Sequence, residues 1–502
     1  MAEVFSSVDV ETDVMYGQNL TVLTVPVTGN PSLQDLVMDV YTPAGDTITD
    51  RPVVVYFHTG SFLPQYINGQ ITGSRSDSSV VEICTRLAKM GYVAMSATYR
   101  AGWNPIASDQ DERTGTLLNA TYRGIQDARA LIRFLRKSVA EEDNPFGVDT
   151  DKICLWGQGT GGYISLGAAF LDRFDEVVLE KFIDQDLLAP YVDTNLVGDV
   201  YGEKQALLNI PNHVGYSNDF AMAVNMGGAL GDISWIEGKD NEPVTMGFHV
   251  ANDPFAPYAD GAVIVPTTGD FVVNVSGTRT VVDTANQLGV NAVISVANDD
   301  LSDPLNAKVD AYKSVIDTFS GGQVLSIGID NVYPFVTPGP ASGPWEWWSK
   351  PQLDATIAAF NAATGEDISA DTLHMNGLQL NPDMSKAKAT AHIDTIINYF
   401  APRAFLALNL MATSTNEVLT AAEVGFEMGP NPMKEYMTIN TAPDQPMLDI
   451  AVYNMSGKLM KGAMGVNNNQ YILQRTPHMT PGMYILQVRF KDGFVSKKIM
   501  LE

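Results

Sequence analysis

The chain has 502 residues, 45% of them hydrophobic and 18% charged, and its 58 acidic side chains against 31 basic ones leave a formal charge of −27 at pH 7. That much apolar material supports a sizeable core and excludes wholesale disorder. The acidic excess repels phosphate backbones and anionic bilayers, which argues against nucleic acid as a partner. The two cysteines, Cys84 and Cys154, cannot build a disulfide framework. No run of about 18 apolar residues predicts a membrane span. By length alone, roughly three domains of ~150 residues are expected, or fewer if one is large. The first 14 residues lack the basic start and apolar stretch of a signal peptide. That leaves either a cytosolic protein or one whose signal peptide is absent from this sequence.

In chain order, short strands are expected at 21–27 (TVLTVPV) and 36–41 (LVMDVY), around a Gly-Asn-Pro-Ser turn signal. The run 52–57 (PVVVYF) has the unbroken apolar character of a strand buried on both faces, and it ends in His58-Thr59-Gly60-Ser61-Phe62. Helical periodicity marks 78–90, a strand 92–99, and a long amphipathic helix 120–138. A buried strand at 152–156 (KICLW) leads through a glycine-rich turn into a helix from about 161, and the helical pattern continues to 182. Further strands are expected at 221–226, 244–250 and 324–329. This alternation predicts an α/β domain with a largely parallel sheet covered on both faces. A Pro/Gly/Trp-rich stretch at 330–350 precedes helices near 351–363 and 385–399. The segment 422–441 reads as linker, and short strands at 447–455, 470–473, 483–490 and 494–501 follow. The expected organisation is therefore an α/β domain over 1–430, a linker over 431–442 and a small β-sandwich over 443–502.

The segment Ile153-Cys-Leu-Trp-Gly-Gln-Gly-Thr-Gly-Gly-Tyr163 carries the most chemical information. Gly157, Gly159 and Gly162 spell the dinucleotide-binding G-x-G-x-x-G. That fingerprint requires an acid at the end of a second strand about 20 residues on. Here the following segment is helical, and at least four sheet strands come earlier. The other reading is a nucleophile elbow, G-x-S-x-G, in which small residues let a helix approach a strand closely. Its tip has positive φ, which glycine adopts without steric cost. Gly159 stands at that tip, so the turn can persist without a nucleophile. Thr160 has a hydroxyl, but one position past the tip its N–H serves an oxyanion hole and its side chain aims elsewhere.

With two further motifs the arrangement resembles the α/β-hydrolase family, in its carboxylesterase-like branch, over about residues 20–410. His58, Thr59, Gly60 and Ser61 follow the third strand, where that branch carries its oxyanion loop. Phe248-His-Val-Ala-Asn-Asp253-Pro-Phe-Ala-Pro-Tyr258 matches the turn bearing the acid, and this resemblance implies Asp253 as the triad acid. Two departures matter: Gly159 occupies the nucleophile position, and no convincing triad histidine follows the last strand, where Asn331-Val-Tyr-Pro-Phe stands. His374 and His392 lie later and are weak candidates, better read as surface or core histidines. His58 reads as structural, and His213, His249 and His478 show no partner pattern. A relay of this kind needs a hydroxyl beside a base that an acid orients. The expectation is a degenerate, non-catalytic fold that binds, scaffolds or assembles. The alternative is an active carboxylesterase-like hydrolase using Thr160 or another hydroxyl with Asp253.

Trp345, Trp347 and Trp348 either cap the core or, exposed, stack on sugar rings or an extracellular polymer. No cofactor is expected. Asp299, Asp300 and Asp303, and likewise Asp109, Asp111 and Glu112, offer the hard oxygens that suit Ca²⁺ but lack EF-hand spacing, so solvated acid is the default. Cys84 and Cys154 read as inert core thiols. The last 60 residues resemble a type IX secretion sorting domain (type A) of secreted Bacteroidota proteins, through Val452-Tyr-Asn-Met-Ser-Gly-Lys458, Pro481-Gly-Met-Tyr-Ile485 and Ser496-Lys-Lys-Ile-Met-Leu501. This resemblance implies handling by that secretion machinery, export across an outer membrane, and a secreted or cell-surface location. Self-assembly or an extracellular polymer are the other partners considered.

Overall fold

The structure, a computed structural model, describes residues 3–265, 268–410, 417–454, 459–463, 465–476, 478–491 and 493–502. The chain divides into two compact units: Met1–Val290 with Leu301–Ala401, and Asn291–Asp300 with Pro402–Glu502.

The first unit is built on an eight-stranded sheet: β1 (Val8–Thr21), β2 (Ser32–Pro43), β3 (Arg51–Phe57), β4 (Val93–Ala97), β5 (Val148–Gln158), β6 (Met222–Met226), β7 (Val244–Val250) and β8 (Val332–Phe335). Its spatial order is β1-β2-β4-β3-β5-β6-β7-β8. The β1/β2 and β2/β4 pairs are antiparallel; every pair from β4 through β8 is parallel. This is the mostly parallel α/β sheet that the resemblance implies. Strand side chains alternate between faces. Val53, Val55 and Phe57 of β3 pack with Leu131, Ile132 and Ile164 of the helices α2 (Gln110–Glu141) and α3 (Thr160–Phe170). Tyr56 instead stacks on Trp156 (5.9 Å between centroids), and Trp156 meets Phe400 of the helix Lys386–Ala407 at 4.8 Å. Both faces of the strand are thus covered, which is why it reads as an unbroken apolar run.

Several expectations change. The 21–27 stretch is not a strand: β1 stops at Thr21 and Val25–Thr28 is one helical turn with proline near its start, where a missing N–H costs nothing. The helix expected to run to 182 ends at Phe170, and short 3₁₀ turns at Phe174–Val177 and Glu180–Phe182 follow. Of the strand expected at 324–329, only Val324–Ser326 is extended, and it pairs with Ile316–Thr318 outside the main sheet. The true last strand is β8. Pro334 disguised it, and a proline is tolerated there because β8 is the edge strand of the sheet beside β7.

In the second unit, a five-stranded sheet is ordered Glu417–Val418, Gly493–Leu501, Gly482–Arg489, Asp449–Asn454, Leu459–Ala463. A three-stranded sheet joins Glu427–Gly429, Tyr436–Asn440 and Gln470–Gln474. Met437, Ile439, Val452, Leu473, Leu486 and Val488 fill the core of this unit. The segment 431–442, read as linker, therefore contains a paired strand. Residues 455–458 of the sorting motif lie outside the described residues. Among the described residues, no helix is long and apolar enough to cross a membrane.

Candidate functional site

The strand-to-helix turn after β5 has the expected elbow geometry. Gly159 caps α3 with φ 54° and ψ −116°. A Cβ on Gly157 would lie 1.9 Å from the Gly161 carbonyl oxygen, and one on Gly161 would lie 2.0 Å from that of Phe57. Only glycine permits these approaches. At the tip the obstacle is a side chain: a Cβ on Gly159 would sit 2.2 Å from Thr59 Oγ1 and 2.9 Å from Thr59 Cβ. Thr59, in the loop after β3, therefore fills the space where a residue at 159 would project. That loop carries three successive positive φ values, at Gly60, Ser61 and Phe62.

The Thr160 hydroxyl lies 2.8 Å from Tyr99 Oη, and Tyr99 also donates to the His58 carbonyl at 3.0 Å. Burial raises the Tyr99 phenol above its ordinary pKa, so it holds its proton at neutral pH and cannot act as a base for Thr160. His58 stacks on the Tyr99 ring at 4.8 Å, and its Nδ1 lies 2.5 Å from the Thr59 carbonyl. Burial pushes its pKa down to about 4. His58 is thus a neutral ring bracing the loop.

Asp253 follows β7, as expected. Its carboxylate accepts from the Phe255 N–H at 2.8 Å and the Ala256 N–H at 3.3 Å. Burial nonetheless raises its pKa to about 7, against the pull of these bonds and of Ser342. Among the described residues, no hydrogen bond joins Asp253 to a histidine. His374 Nδ1 accepts from Trp348 Nε1 at 2.9 Å. His392 stands edge-on to Phe335 at 5.1 Å, and burial lowers its pKa. His249 is fully buried between Thr278 Oγ1 (2.5 Å) and the Ala256 carbonyl (3.1 Å), with its pKa lowered by burial to about 4. His213 contacts the Tyr16 carbonyl at 2.7 Å. The elbow and the loop after β3 meet at Gly159 and Thr59, and Phe255, two residues past Asp253, lines the cavity beside them; the candidate bases His374 and His392 have their own partners.

Sequence reasoning overlooked a buried polar chain beside the elbow. Tyr56 donates to Gln158 Oε1 at 2.6 Å, and Gln158 Nε2 donates to Glu346 Oε1 at 2.6 Å. Thr72 reaches Glu346 Oε2 at 3.3 Å. Burial, and then the neighbouring Asp77, push the Glu346 pKa up to about 8. Asp77 caps the helix α1 (Ser78–Lys89) and accepts from the Gly73 and Ser74 N–H groups at 2.7 and 3.0 Å; burial raises its pKa to about 7. Glu346 sits among the three tryptophans, whose bulk drew attention from it. Of these, Trp345 is buried, while Trp347 and Trp348 are half-buried.

Two adjoining cavities share Thr59, Ser61, Phe255 and Ser342 in their walls. One includes Gly159, Thr160 and Tyr163. The other includes Asn68, Gln70 and Glu346. Among the described residues, no cluster of three His, Cys, Asp or Glu side chains could hold a metal ion. Asp109 and Asp303, expected at most as Ca²⁺ ligands, are helix caps accepting from the Asp111 and Leu305 N–H groups at 3.1 and 2.8 Å. Cys84 and Cys154 are buried and free.

The model of the BD-FAE family, an esterase-like α/β-hydrolase domain, matches residues 38–229. That of the secretion system C-terminal sorting domain matches residues 428–502. The second match implies handling by the type IX secretion system and a secreted or cell-surface location. No curated protein matches the chain. Among solved structures, the apo form of Thermogutta terrifontis esterase 2 is 19% identical, with 50% of this chain and 74% of that one covered and a TM-score of 0.28. The propionate-bound form of that esterase is 16% identical over 72% and 95%, with a TM-score of 0.30. A truncated carbohydrate esterase from gut microbiota is 15% identical over 58% and 86%, with a TM-score of 0.33. Likenesses this remote set no constraint on the chemistry of this chain.

Proposed function

We propose that the esterase-like domain of this exported protein is non-catalytic, and that Gly159 stands where an active relative carries its serine. The domain serves as a binding, scaffolding or assembly module, delivered in the manner of type IX cargo of the Bacteroidota. Self-association or an extracellular polymer are the partners this role allows. One observation carries the reading: Thr59 Oγ1 lies 2.2 Å from where a Cβ on residue 159 would be. The loop is thus packed around a missing side chain. The bonding of Thr160 to Tyr99 and of His374 to Trp348 supports it, since catalysis needs a hydroxyl within reach of an oriented base.

A second reading, a hydrolase using Thr160 or another hydroxyl with Asp253, draws support from the cavity beside Gly159 and Thr160. The two separate on treatment of the full chain with a fluorophosphonate, followed by peptide mass spectrometry and a p-nitrophenyl acetate assay. We expect no Ser or Thr adduct and no turnover above background, and Gly159→Ser should not create any. An adduct on Thr160, with hydrolysis that disappears in Asp253→Asn, would overturn the non-catalytic reading.

A further inference from the structure

A third pocket, of about 240 Å³, adjoins the Glu346 cavity, and Ile71, Thr72 and Trp348 line both. Gly159, Thr160 and Asp253 are not in its walls. Its volume far exceeds the ~10–15 Å³ that one water needs. Asp77, only 8% exposed, and the buried Ile71 and Leu353 form its inner end; the exposed Ser76, Ser349 and Gln352 form its mouth. Between them stand three half-buried aromatic side chains, Tyr66, Trp347 and Trp348. Trp348 spends its N–H on His374, and Lys386 Nζ stands over the Trp347 ring at 5.9 Å, so that ring already attracts a cation. Tyr66 has φ 69°, a left-handed conformation that bulky residues rarely adopt. Bonds from Gln65 Nε2 to the Ile71 carbonyl and from Asn68 Nδ2 to the Thr72 carbonyl, both 3.0 Å, hold this wall in place.

Among the described residues, no Lys, Arg or His side chain bonds to Asp77. Its oxygens accept from Gln65 Nε2 at 3.3 Å and from the Gly73 and Ser74 N–H groups. Nearby cations are engaged elsewhere: Arg75 with Asp13 and Asp39, Lys350 with Asp354 and Asp371. A buried carboxylate ordinarily has a charged partner, and a cation in this pocket would supply one. With three acceptor positions taken, the carboxylate offers charge more than open hydrogen-bonding capacity. That suits an ammonium whose hydrogens are replaced by methyl groups, which aromatic faces also attract. A metal ion suits it less, because no three His, Cys, Asp or Glu side chains cluster among the described residues, and aromatic rings supply no oxygen ligands. The formal charge of −27 draws cations towards the chain. We propose that this pocket binds a methylated organic ammonium ion, its head between the tryptophan faces and the Asp77 carboxylate. The proposal goes beyond the non-catalytic reading and holds whether or not the elbow cleaves esters.

The probe is tetramethylammonium, titrated onto the full chain and followed by calorimetry, with tert-butanol as its uncharged match in shape. Burial raises the Asp77 pKa to about 7, so the titration is run at pH 8, where the carboxyl is ionised. We expect saturable binding at one site per chain, with tert-butanol weaker by about tenfold or more. Asp77→Asn keeps an acceptor for the Gly73 and Ser74 N–H groups and removes the charge; it should weaken binding by about tenfold or more. Should that change at the cap of α1 impair folding, Trp347→Leu tests the same site from its half-buried wall and should also weaken binding. Glu366→Gln removes the same charge from an exposed position outside the pocket and should bind as the parent does. Absence of saturable binding, equal binding of tert-butanol, or displacement by methyl glucoside at equal concentration would each overturn the proposal. So would unchanged binding in a folded Asp77→Asn or Trp347→Leu chain, or an equal loss in Glu366→Gln. Ester hydrolysis by the parent chain would count against the non-catalytic reading alone.

Discussion

Glu346 and Gln158 bind the loop after β8 to the elbow through one 2.6 Å hydrogen bond, and the carboxyl is most at ease there with its proton on. Its pKa is about 8 in the folded chain against an ordinary 4.5, because of burial and then Asp77. Between those values the folded chain binds more protons than the unfolded one. This group's stabilising effect is therefore full below about pH 4.5 and is lost as pH rises towards 8. Asp77 and Asp253, each raised from 3.8 to about 7, act in the same sense. His58 and His249, each lowered from 6.5 to about 4, oppose them, adding stability as pH rises over that interval. Glu346→Gln keeps a carbonyl oxygen for Gln158 and an amide for Thr72 while removing one titration. Thermal melts at pH 5, 6, 7 and 8 should fall less steeply in this variant than in the parent, with the variant melting higher at pH 8. Parallel curves would show that Glu346 holds no proton in the fold.

At the scale of elements, the join between β5 and α3 depends on glycine backbones in near contact. Gly161→Ala would drive a methyl to 2.0 Å from the Phe57 carbonyl oxygen. Rigid backbone on both sides gives little room to relax, so we expect a loss of about 3 kcal/mol or more, read as a lower urea midpoint for unfolding of the first unit. This join was legible in the sequence because glycine spacing, the preceding apolar run and the following helix all point to one geometry. The edge strand β8 was not, since a proline hides a strand unless its sheet position is known. Nor was the helix stop at Phe170, because the amphipathic pattern of 171–182 is satisfied equally by two 3₁₀ turns packed on the same core. The site divides the same way. Positions fixed by backbone geometry, Gly159 and Asp253, could be read off. The contacts of Thr59, Gln158 and Glu346, made across long sequence separations, left no periodic signal.

Taken whole, the chain is two units where length alone suggested about three domains, and the second begins earlier than a composition shift near 430 implies. Val424 and Phe426 are buried in one core with Met437, Ile439 and Leu473, and Glu427–Gly429 pairs with Tyr436–Asn440. A chain ended at residue 430 would keep the first two side chains and lose their partners, exposing apolar surface and an open strand edge. We expect it to aggregate where the full chain remains dispersed, measured by light scattering across a concentration series. Equal scattering from both chains would show that residues 417–430 do not need the sheets they join.

On the non-catalytic reading proposed above, Thr59 and Gly159 also bear on how hydrolysis would be gained by mutation. Serine arriving alone at 159 meets the threonine. Glycine arriving alone at 59 clears the space but supplies no hydroxyl. Even the pair together faces Asp253, to which no histidine is hydrogen-bonded among the described residues. On the non-catalytic reading proposed above, each intermediate on such a path is as inert as the starting chain, so selection for ester cleavage has no first step to reward. A saturation library of single substitutions should therefore return no gain of hydrolysis, and an effective library would have to vary position 59, position 159 and a new base together.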